Sequence, residues 1–165
     1  MTLTIHQKSV YLIIFNATMI SRSVGKNIKA NKSIKDFKVK VFEKIEILTN
    51  KMDTGTLTGE NIIDSINNLS NEFGISFGQA QKPINVILKY HFYLTKNNNE
   101  HIRKALHCPI DSVILKKLDK SGISLTRITK QNYLEIQNEI ENRCHTRIVF
   151  DTQWDEQHLQ EEGIK

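Results

Sequence analysis

The stretch SFGQAQKPINVILKYHFYL, residues 76–94, decides the fold predicted for this chain. Over residues 84–94 it is apolar on most sides of a helix, and the strongly polar exceptions are Asn85, Lys89 and His91. A helix that is apolar nearly all round is usually enclosed by other elements. Residues 84–94 are therefore predicted to form a buried central helix.

Pro83 limits where this helix can begin. Proline fits the first turn of a helix, whereas deeper inside it removes a hydrogen bond and bends or breaks the helix. Ser76 is a good N-cap residue but lies seven positions earlier. Two alternatives stay open: a late start with Pro83 near the first helical position, or an early start with a bend near Gln79–Lys82.

The rest of the chain indicates a single, mainly α-helical domain covering residues 1–165. A length of 165 residues with 39% hydrophobic and 25% charged residues suits one soluble globular core. Two prolines and seven glycines leave few interruptions, which favours helices over sandwiches or barrels. We expect about six helices. Apolar spacing and start signals place helical segments at Ile5 to about Ile28, from Ser33, from Thr58 to Gly74, over 84–94, at His101 to Leu106, from a cap at Asp111 or Ser112 to Gly122, and from Thr129 to Cys144.

The C-terminal part is predicted to be different. The segment TRIVFDTQW, Thr146 to Trp154, is the one plausible extended piece, with irregular or short extended structure around Arg147 to Phe150. Residues 151–165 carry five acidic residues and one lysine, and are expected to be an acidic, frayed tail. Such a tail could meet a basic protein partner.

Composition also bears on compartment. The apolar run Val10 to Phe15 is too short to span a bilayer, and no export signal surrounds it, so we expect a cytoplasmic protein without a membrane partner. Cys108 and Cys144 lie far apart without a CxxC motif and are read as reduced thiols. No nucleotide or cofactor motif is present, and no cofactor is predicted.

Basic residues dominate the body of the chain, whose formal net charge is +5. Residues 1–50 hold nine Lys and Arg against three Asp and Glu. Lys35 and Lys38 belong to the outer face of an amphipathic helix beginning at Ser33. A basic face of this kind fits DNA or RNA phosphates, or is simply solvated, and the sequence leaves both alternatives open.

Three residues are candidates for chemistry. Lys82 and Lys89 lie at the edge of a buried helix, where desolvation can make a lysine nucleophilic, although such lysines more often reach water or bind phosphate. Asp111, in HCPID, can be a cleft carboxylate that stabilises a cation, or only the N-cap of the next helix. We take Lys82 and Asp111 as the candidate catalytic pair.

Two adjacent His/Cys pairs could contribute to a metal site or a thiol nucleophile. They are His107-Cys108 and Cys144-His145, and a four-ligand cluster would require the two pairs to meet in space. Neither pair has CxxC or HxxxH spacing, so no metal is predicted. His91 is predicted to be a hydrogen-bonded core residue.

The order GISFGQAQK, then a long helix, then CPID resembles helix–hairpin–helix DNA glycosylases, over roughly Gly74 to Leu118. The resemblance implies that Gly74 and Gly78 bind DNA phosphates, that Lys82 is the lysine of the lyase members, and that Asp111 is their aspartate. The glycine spacing is wider than the family's Gly-x-Gly, and Pro83 follows the lysine directly.

Three hypotheses for function follow. The chain is a nucleic-acid-binding helical protein, with Gly74, Gly78, Lys82, Lys89, Lys35 and Lys38 as predicted contacts; or it is an enzyme acting on DNA or a nucleotide; or it is a non-catalytic accessory factor of the phage or mobile-element type.

Overall fold

The computed structural model describes residues 3–18 and 20–164, without the side chains of residues 154 and 158. This part of the chain is mainly α-helical, as predicted, and contains no strand. Nine α-helices replace the six expected. They are α1 (Ile5–Ala17), α2 (Ile20–Asn27), α3 (Ile34–Asp53), α4 (Gly59–Phe73), α5 (Phe77–Leu94), α6 (Glu100–Ala105), α7 (Ser112–Lys117), α8 (Lys130–Cys144) and α9 (Arg147–Glu161), with a 3₁₀ turn at Leu125–Arg127.

Most predicted helix starts are confirmed. Five helices begin with reciprocal hydrogen bonds between the N-cap and the third helical residue, at Thr4, Ser33, Thr58, Ser76 and Thr129. Gly74 ends α4 in the left-handed conformation, with φ of 66°. Short side chains that bond to local backbone groups thus set these boundaries.

The central helix is longer than predicted, because α5 begins at Phe77 instead of Ile84. The Ser76 side chain accepts the Gln79 amide, and the Gln79 side chain accepts the Ser76 amide, which fixes an early start. Pro83 therefore lies inside the helix. The helix is held by its surroundings, because α1, α2, α3, α4 and α8 all pack against it.

Two other boundaries correct the predictions. The segment Ile5 to Ile28 forms two helices, with Thr18 as the C-cap of the first. The extended structure predicted around Arg147 to Phe150 is wrong, because these residues form the first turn of α9. Ile148 is fully buried there, and the helix continues through most of the acidic tail.

The core gathers around α5, which brings several polar groups into it. Five polar or charged side chains of this helix are buried: Gln79, Gln81, Asn85, Lys89 and His91. Burying such a group without a partner is costly, so each needs hydrogen bonds inside the protein. Their partners come from different parts of the chain, as far apart in sequence as Tyr11 and Asp155.

Gln81 and Asn85 illustrate how these bonds connect elements. The Gln81 amide donates to the Ile110 carbonyl at 2.6 Å, and the Ile110 amide donates back to Gln81 at 3.2 Å. Asn85 donates to the Tyr133 hydroxyl of α8 at 2.8 Å, and His107 Nδ1 lies 2.8 Å from the same hydroxyl. The HCPID segment is thereby fastened to α5 and α8.

Gly78 provides a test of the packing at the start of α5. A Cβ at this position would lie 2.4 Å from the Leu125 carbonyl oxygen and 2.7 Å from Ile128 Cβ. We expect Gly78→Ala to lower the free energy of unfolding by about 2 kcal/mol, since backbone must move to admit the methyl group. Urea unfolding would measure the change.

Gly122→Ala is the matched control, because a Cβ there would meet nothing within 4 Å. It should leave the unfolding midpoint close to that of the parent. Equal effects of the two substitutions would contradict the close approach at Gly78.

Candidate functional site

A cleft of about 520 Å³ brings together residues that the sequence analysis selected. Lys82, Lys89 and Asp111 all line it, joined by Asp151 and Asp155 of α9. Its apolar wall comes from α1, α5 and the HCPID segment, and includes Ile13, Ile14, Ala17, Val86, Pro109 and Val113. The candidate catalytic pair therefore faces one cleft, although Lys82 and Asp111 come from different elements.

Asp111 has two roles at the mouth of this cleft. Its Oδ1 accepts the backbone amides of Val113 and Ile114, at 2.9 and 3.0 Å, which confirms the predicted N-cap of α7. Its Oδ2 lies 3.7 Å from Lys82 Nζ. The cap holds the carboxylate in place, and the second oxygen is oriented toward the lysine.

Lys89 is in a different state from Lys82. Its side chain is only 7% exposed, and its ammonium contacts Asp151 Oδ2 at 2.5 Å and Asp155 Oδ2 at 2.9 Å. Asp151 and Asp155 are one helical turn apart on α9, which allows both to reach the same ammonium. Lys89 thus joins α5 to the C-terminal helix.

The two carboxylates determine the protonation of Lys89. Burial by itself favours the neutral amine, but the opposite charges and hydrogen bonds of Asp151 and Asp155 outweigh it and raise the pKa of Lys89. A lysine that stays protonated and paired is neither a nucleophile at neutral pH nor a free phosphate contact. Neither predicted role of Lys89 fits its position.

The charges of the cleft do not suit a phosphate. Its two lysines face three carboxylates, which leaves an excess of one negative charge. Burial raises the pKa of Asp151 despite the opposing effect of Lys89, and the nearby Asp155 raises it further. A cleft of this composition favours a cationic or neutral group over an anion.

The glycines of the supposed hairpin have structural roles. The Gly74 amide donates to the Ser70 carbonyl at 2.9 Å, and the Gly78 amide donates to the Ile128 carbonyl at 3.1 Å. Gly78 is also buried. Because both amides already donate within the chain, these two glycines do not offer a phosphate the cradle that the resemblance implies.

A basic surface lies on α2 and the start of α3, which we call the basic face and define as Arg22, Lys26, Lys35 and Lys38. Arg22, Lys26 and Lys35 are exposed, and none of the three has a carboxylate partner in the described part of the chain. The Lys38 ammonium lies 5.4 Å from the centre of the Phe15 ring. The Asp36 carboxylate within this segment is occupied by the Ser33 cap.

Helix α2, which carries part of the basic face, is hydrogen-bonded to α5. Gln79, one turn before Lys82 on α5, donates to Ser23 Oγ at 2.8 Å and to Asn27 Oδ1 at 3.3 Å. These bonds fix α2 against the Lys82 end of α5. Sequence reasoning selected Lys35 and Lys38 but missed Arg22 and Lys26, whose four-residue spacing on one helix was the available signal.

The two His/Cys pairs do not form a metal centre among the residues described, where no group of three His, Cys, Asp or Glu side chains could hold an ion. Cys108 is buried, and burial together with the charges of Asp151 and Asp111 raises the pKa of its thiol well above the ordinary value. Burial, and then the charge of Arg147, lowers the pKa of His107 to about 3. Both groups stay neutral at physiological pH.

His91 is a buried, hydrogen-bonded core residue, as predicted. Its Nε2 lies 2.9 Å from Asp53 Oδ1, and its Nδ1 bonds to the Tyr11 hydroxyl. Because a carboxylate can only accept, Nε2 carries a hydrogen and donates it to Asp53. Burial and the Asp53 charge raise the pKa of Tyr11 to about 12, so it remains a donor. This chain of bonds ties α1 and α3 to α5.

Comparison of the chain with protein-family models, with curated proteins and with solved structures gives no match. No helix in the described ranges is long and apolar enough to cross a bilayer.

The Lys89 pairs can be tested through stability. Lys89→Met leaves two carboxylates facing the cleft without their cation, and we expect the free energy of unfolding to fall by about 3 kcal/mol at pH 7. Lys104→Met, at an exposed site on α6, is the matched control and should have little effect. Urea unfolding of both variants and the parent would measure this.

The loss of stability in Lys89→Met is also expected to depend on pH. Without Lys89, the raised pKa of Asp151 rises further, so the folded variant takes up a proton that the unfolded chain does not. The deficit of the variant relative to the parent should therefore shrink as pH falls from 7 toward 4. In the parent, the pKa of Lys89 is raised above its ordinary value of 10.5. Its contribution to the free energy of unfolding is therefore fully present below pH 10.5 and is lost as the pH rises further. A deficit that grows on acidification would refute the pairing.

Proposed function

We propose that this protein binds nucleic acid through the basic face of α2 and α3. The observation that carries the proposal is the concentration of cations there: residues 20–40 contain seven Lys and Arg and one acidic residue, Asp36. The two helices that carry these cations, α2 and α3, pack together, since a Cβ built on Gly25 would lie 3.5 Å from Ile34 Cδ1. Phosphate contacts of exposed lysines and arginines supply most sequence-independent affinity for nucleic acids.

Not every cation of the segment serves this purpose. Lys29 Nζ donates to the Asn71 carbonyl at 2.7 Å near the end of α4, and Lys32 pairs with Glu72 at 3.1 Å. These two lysines stabilise the C-terminal end of α4. Arg22, Lys26 and Lys35 remain as the exposed cations most able to bind phosphates.

The triple substitution Arg22→Gln, Lys26→Gln and Lys35→Gln tests this surface. We expect binding to a fluorescent 20-nucleotide DNA or RNA, measured by anisotropy at about 50 mM salt, to weaken at least tenfold, because about three counterion-releasing contacts are lost. The slope of log affinity against log salt should fall by about 2 to 3 for the same reason.

A charge-matched control separates this surface from net charge. Lys104→Gln, Lys116→Gln and Lys130→Gln removes three exposed positive charges elsewhere, so both triple variants change from +5 to +2. Equal loss in both would show that only net charge matters. A parent chain without low-salt affinity for either nucleic acid would remove the proposal.

We propose as a second candidate that the chain acts on DNA through Lys82 and Asp111. Their 3.7 Å separation in one cleft is the observation that favours it. The excess negative charge of the cleft disfavours phosphate, so a DNA backbone would lie on the basic face while a sugar or base entered the cleft. Lys82, after passing a proton to Asp111, would attack the C1′ aldehyde of a ring-opened abasic sugar. The carbonyl oxygen would leave as water, and Asp111 would stabilise the cationic imine that forms.

Borohydride trapping on abasic DNA tests this candidate. The parent should give a covalent adduct, which Lys82→Met should abolish and which Lys104→Met should leave intact. Asp111→Asn should slow formation of the adduct. If the parent forms none, the lyase activity is refuted while nucleic-acid binding stands unaffected.

The hypothesis of a non-catalytic accessory factor, whose acidic tail meets a basic partner, is better tested by substitutions in the tail than by deleting it. Deleting residues 151–165 would also remove both partners of Lys89, so loss of an assembly after deletion would not identify a tail contact. Glu156→Gln with Glu162→Gln removes exposed tail charges and leaves the Lys89 pairs in place.

A further inference from the structure

An apolar groove of about 450 Å³ runs between α1 and α3, away from the cleft. One side of α1 contributes Ile5 and Leu12, and one side of α3 contributes Val39 and Phe42. The Ile5 side chain is 76% exposed and that of Val39 is 50% exposed. Contiguous apolar surface of this kind is typical of sites that another protein covers.

The exposed apolar residues are concentrated on these two helices. Of the twelve large apolar side chains exposed in the described part of the chain, six lie on α1 and α3: Ile5, Val10, Leu12, Ile13, Val39 and Ile47. Helix α1 buries only Tyr11 and Phe15, so it remains apolar on sides that nothing in the chain covers. A helix that is apolar nearly all round is usually enclosed.

The same helix also presents a ridge that such a groove accepts. Val10, Ile13 and Ala17 follow the i, i+3, i+7 spacing of one helix face, and all three are exposed. Helices that bind in grooves do so through side chains at this spacing. This ridge and the groove lie on neighbouring sides of α1. Each of two copies could therefore place its ridge in the groove of the other.

The charges at the groove select the occupant. Two lysines, Lys8 and Lys38, and two glutamates, Glu43 and Glu46, line it, so the charged groups balance. Because these charges balance, the groove has no net attraction for a polyanion or an anionic membrane. Glu46 pairs with Lys8 of the same chain at 4.0 Å, and Glu43 pairs with Lys40 at 2.6 Å. The rim of the groove is therefore neutral and fits the uncharged ridge of a second copy, and under a two-fold axis this contact occurs twice.

We propose that this protein forms a symmetric dimer in which the Val10–Ile13 ridge of one α1 occupies the α1–α3 groove of a second copy. The two α1 helices lie side by side, and the paired charges surround the apolar contact. The surface is small for an obligate dimer, so association should be detectable between about 1 and 100 µM. Dimerisation does not depend on nucleic-acid binding.

Sedimentation velocity over this concentration range tests the dimer. Ile13→Asp alters the ridge and Val39→Asp alters the groove, and each should shift the dissociation constant at least tenfold toward monomer. Ile123→Asp, at an exposed apolar residue outside both helices, should leave it unchanged. Unaltered circular dichroism and melting would show that the variants still fold.

Mixing the two variants distinguishes ridge-in-groove packing from a general effect of added charge. A dimer of one Ile13→Asp chain and one Val39→Asp chain keeps one of its two contacts intact, whereas each variant alone keeps neither. The mixture should therefore associate more strongly than either variant by itself. Absence of this partial rescue would overturn the proposed packing.

Other results would overturn the dimer altogether. A parent chain that stays monomeric throughout, or a dimer that survives both substitutions, would do so. Flotation of the monomeric parent with anionic vesicles, abolished by Ile13→Asp, would make a lipid surface the occupant instead.

Discussion

The need to pair the buried polar groups of α5 governs the arrangement around it. Gln79 bonds to α2, Asn85 to α8, Lys89 to α9, and His91 to α1 and α3. An unpaired group in the core would cost more than most packing contacts contribute, so these partners restrict how the surrounding helices can pack. Asn85 Oδ1 is an exception, because it has no hydrogen-bond partner among the described residues. The central helix thus specifies the positions of its neighbours through polar contacts as well as through apolar burial.

The same pairing distinguishes the cleft from the basic face, although the sequence analysis predicted residues of both as nucleic-acid contacts. Lys89 is committed to the carboxylates of α9, so the cleft carries an excess of negative charge and is poorly suited to phosphates. The cations that could meet a polyanion lie on α2 and α3 instead. Lys82 lies one turn after Gln79, whose side chain bonds to α2. Binding and chemistry, if both occur, would therefore use neighbouring regions.

The self-association proposed for α1 adds a relation between these surfaces. Lys38 belongs to the basic face and also lines the groove, while Ile13 and Ala17 belong to the ridge and also line the cleft. A second copy covering the groove would bring two basic faces close together and cover one edge of the cleft. Two linked faces would bind a polyanion more tightly than one, because the second contact becomes intramolecular.

Local chemistry by itself determined the helical class, the central position of residues 84–94, and most helix starts, because N-cap side chains bond within three residues. It could not determine α9, since the inward positions 151 and 155 are acidic and conceal the apolar period after Ile148. On a strand these two positions would lie about 13 Å apart, too far to share one ammonium, whereas a helix places them one turn apart.

The candidate site follows the same division. Sequence selected Lys82 and Asp111 as residue types suited to chemistry, but only tertiary structure placed both in one cleft and paired Lys89 with residues more than 60 positions away. Tertiary structure also decided that the Gly78 amide is not available to a phosphate, because this amide donates to the Ile128 carbonyl. Contacts between distant segments depend on how whole helices pack, and a pattern of neighbouring residues does not encode them individually.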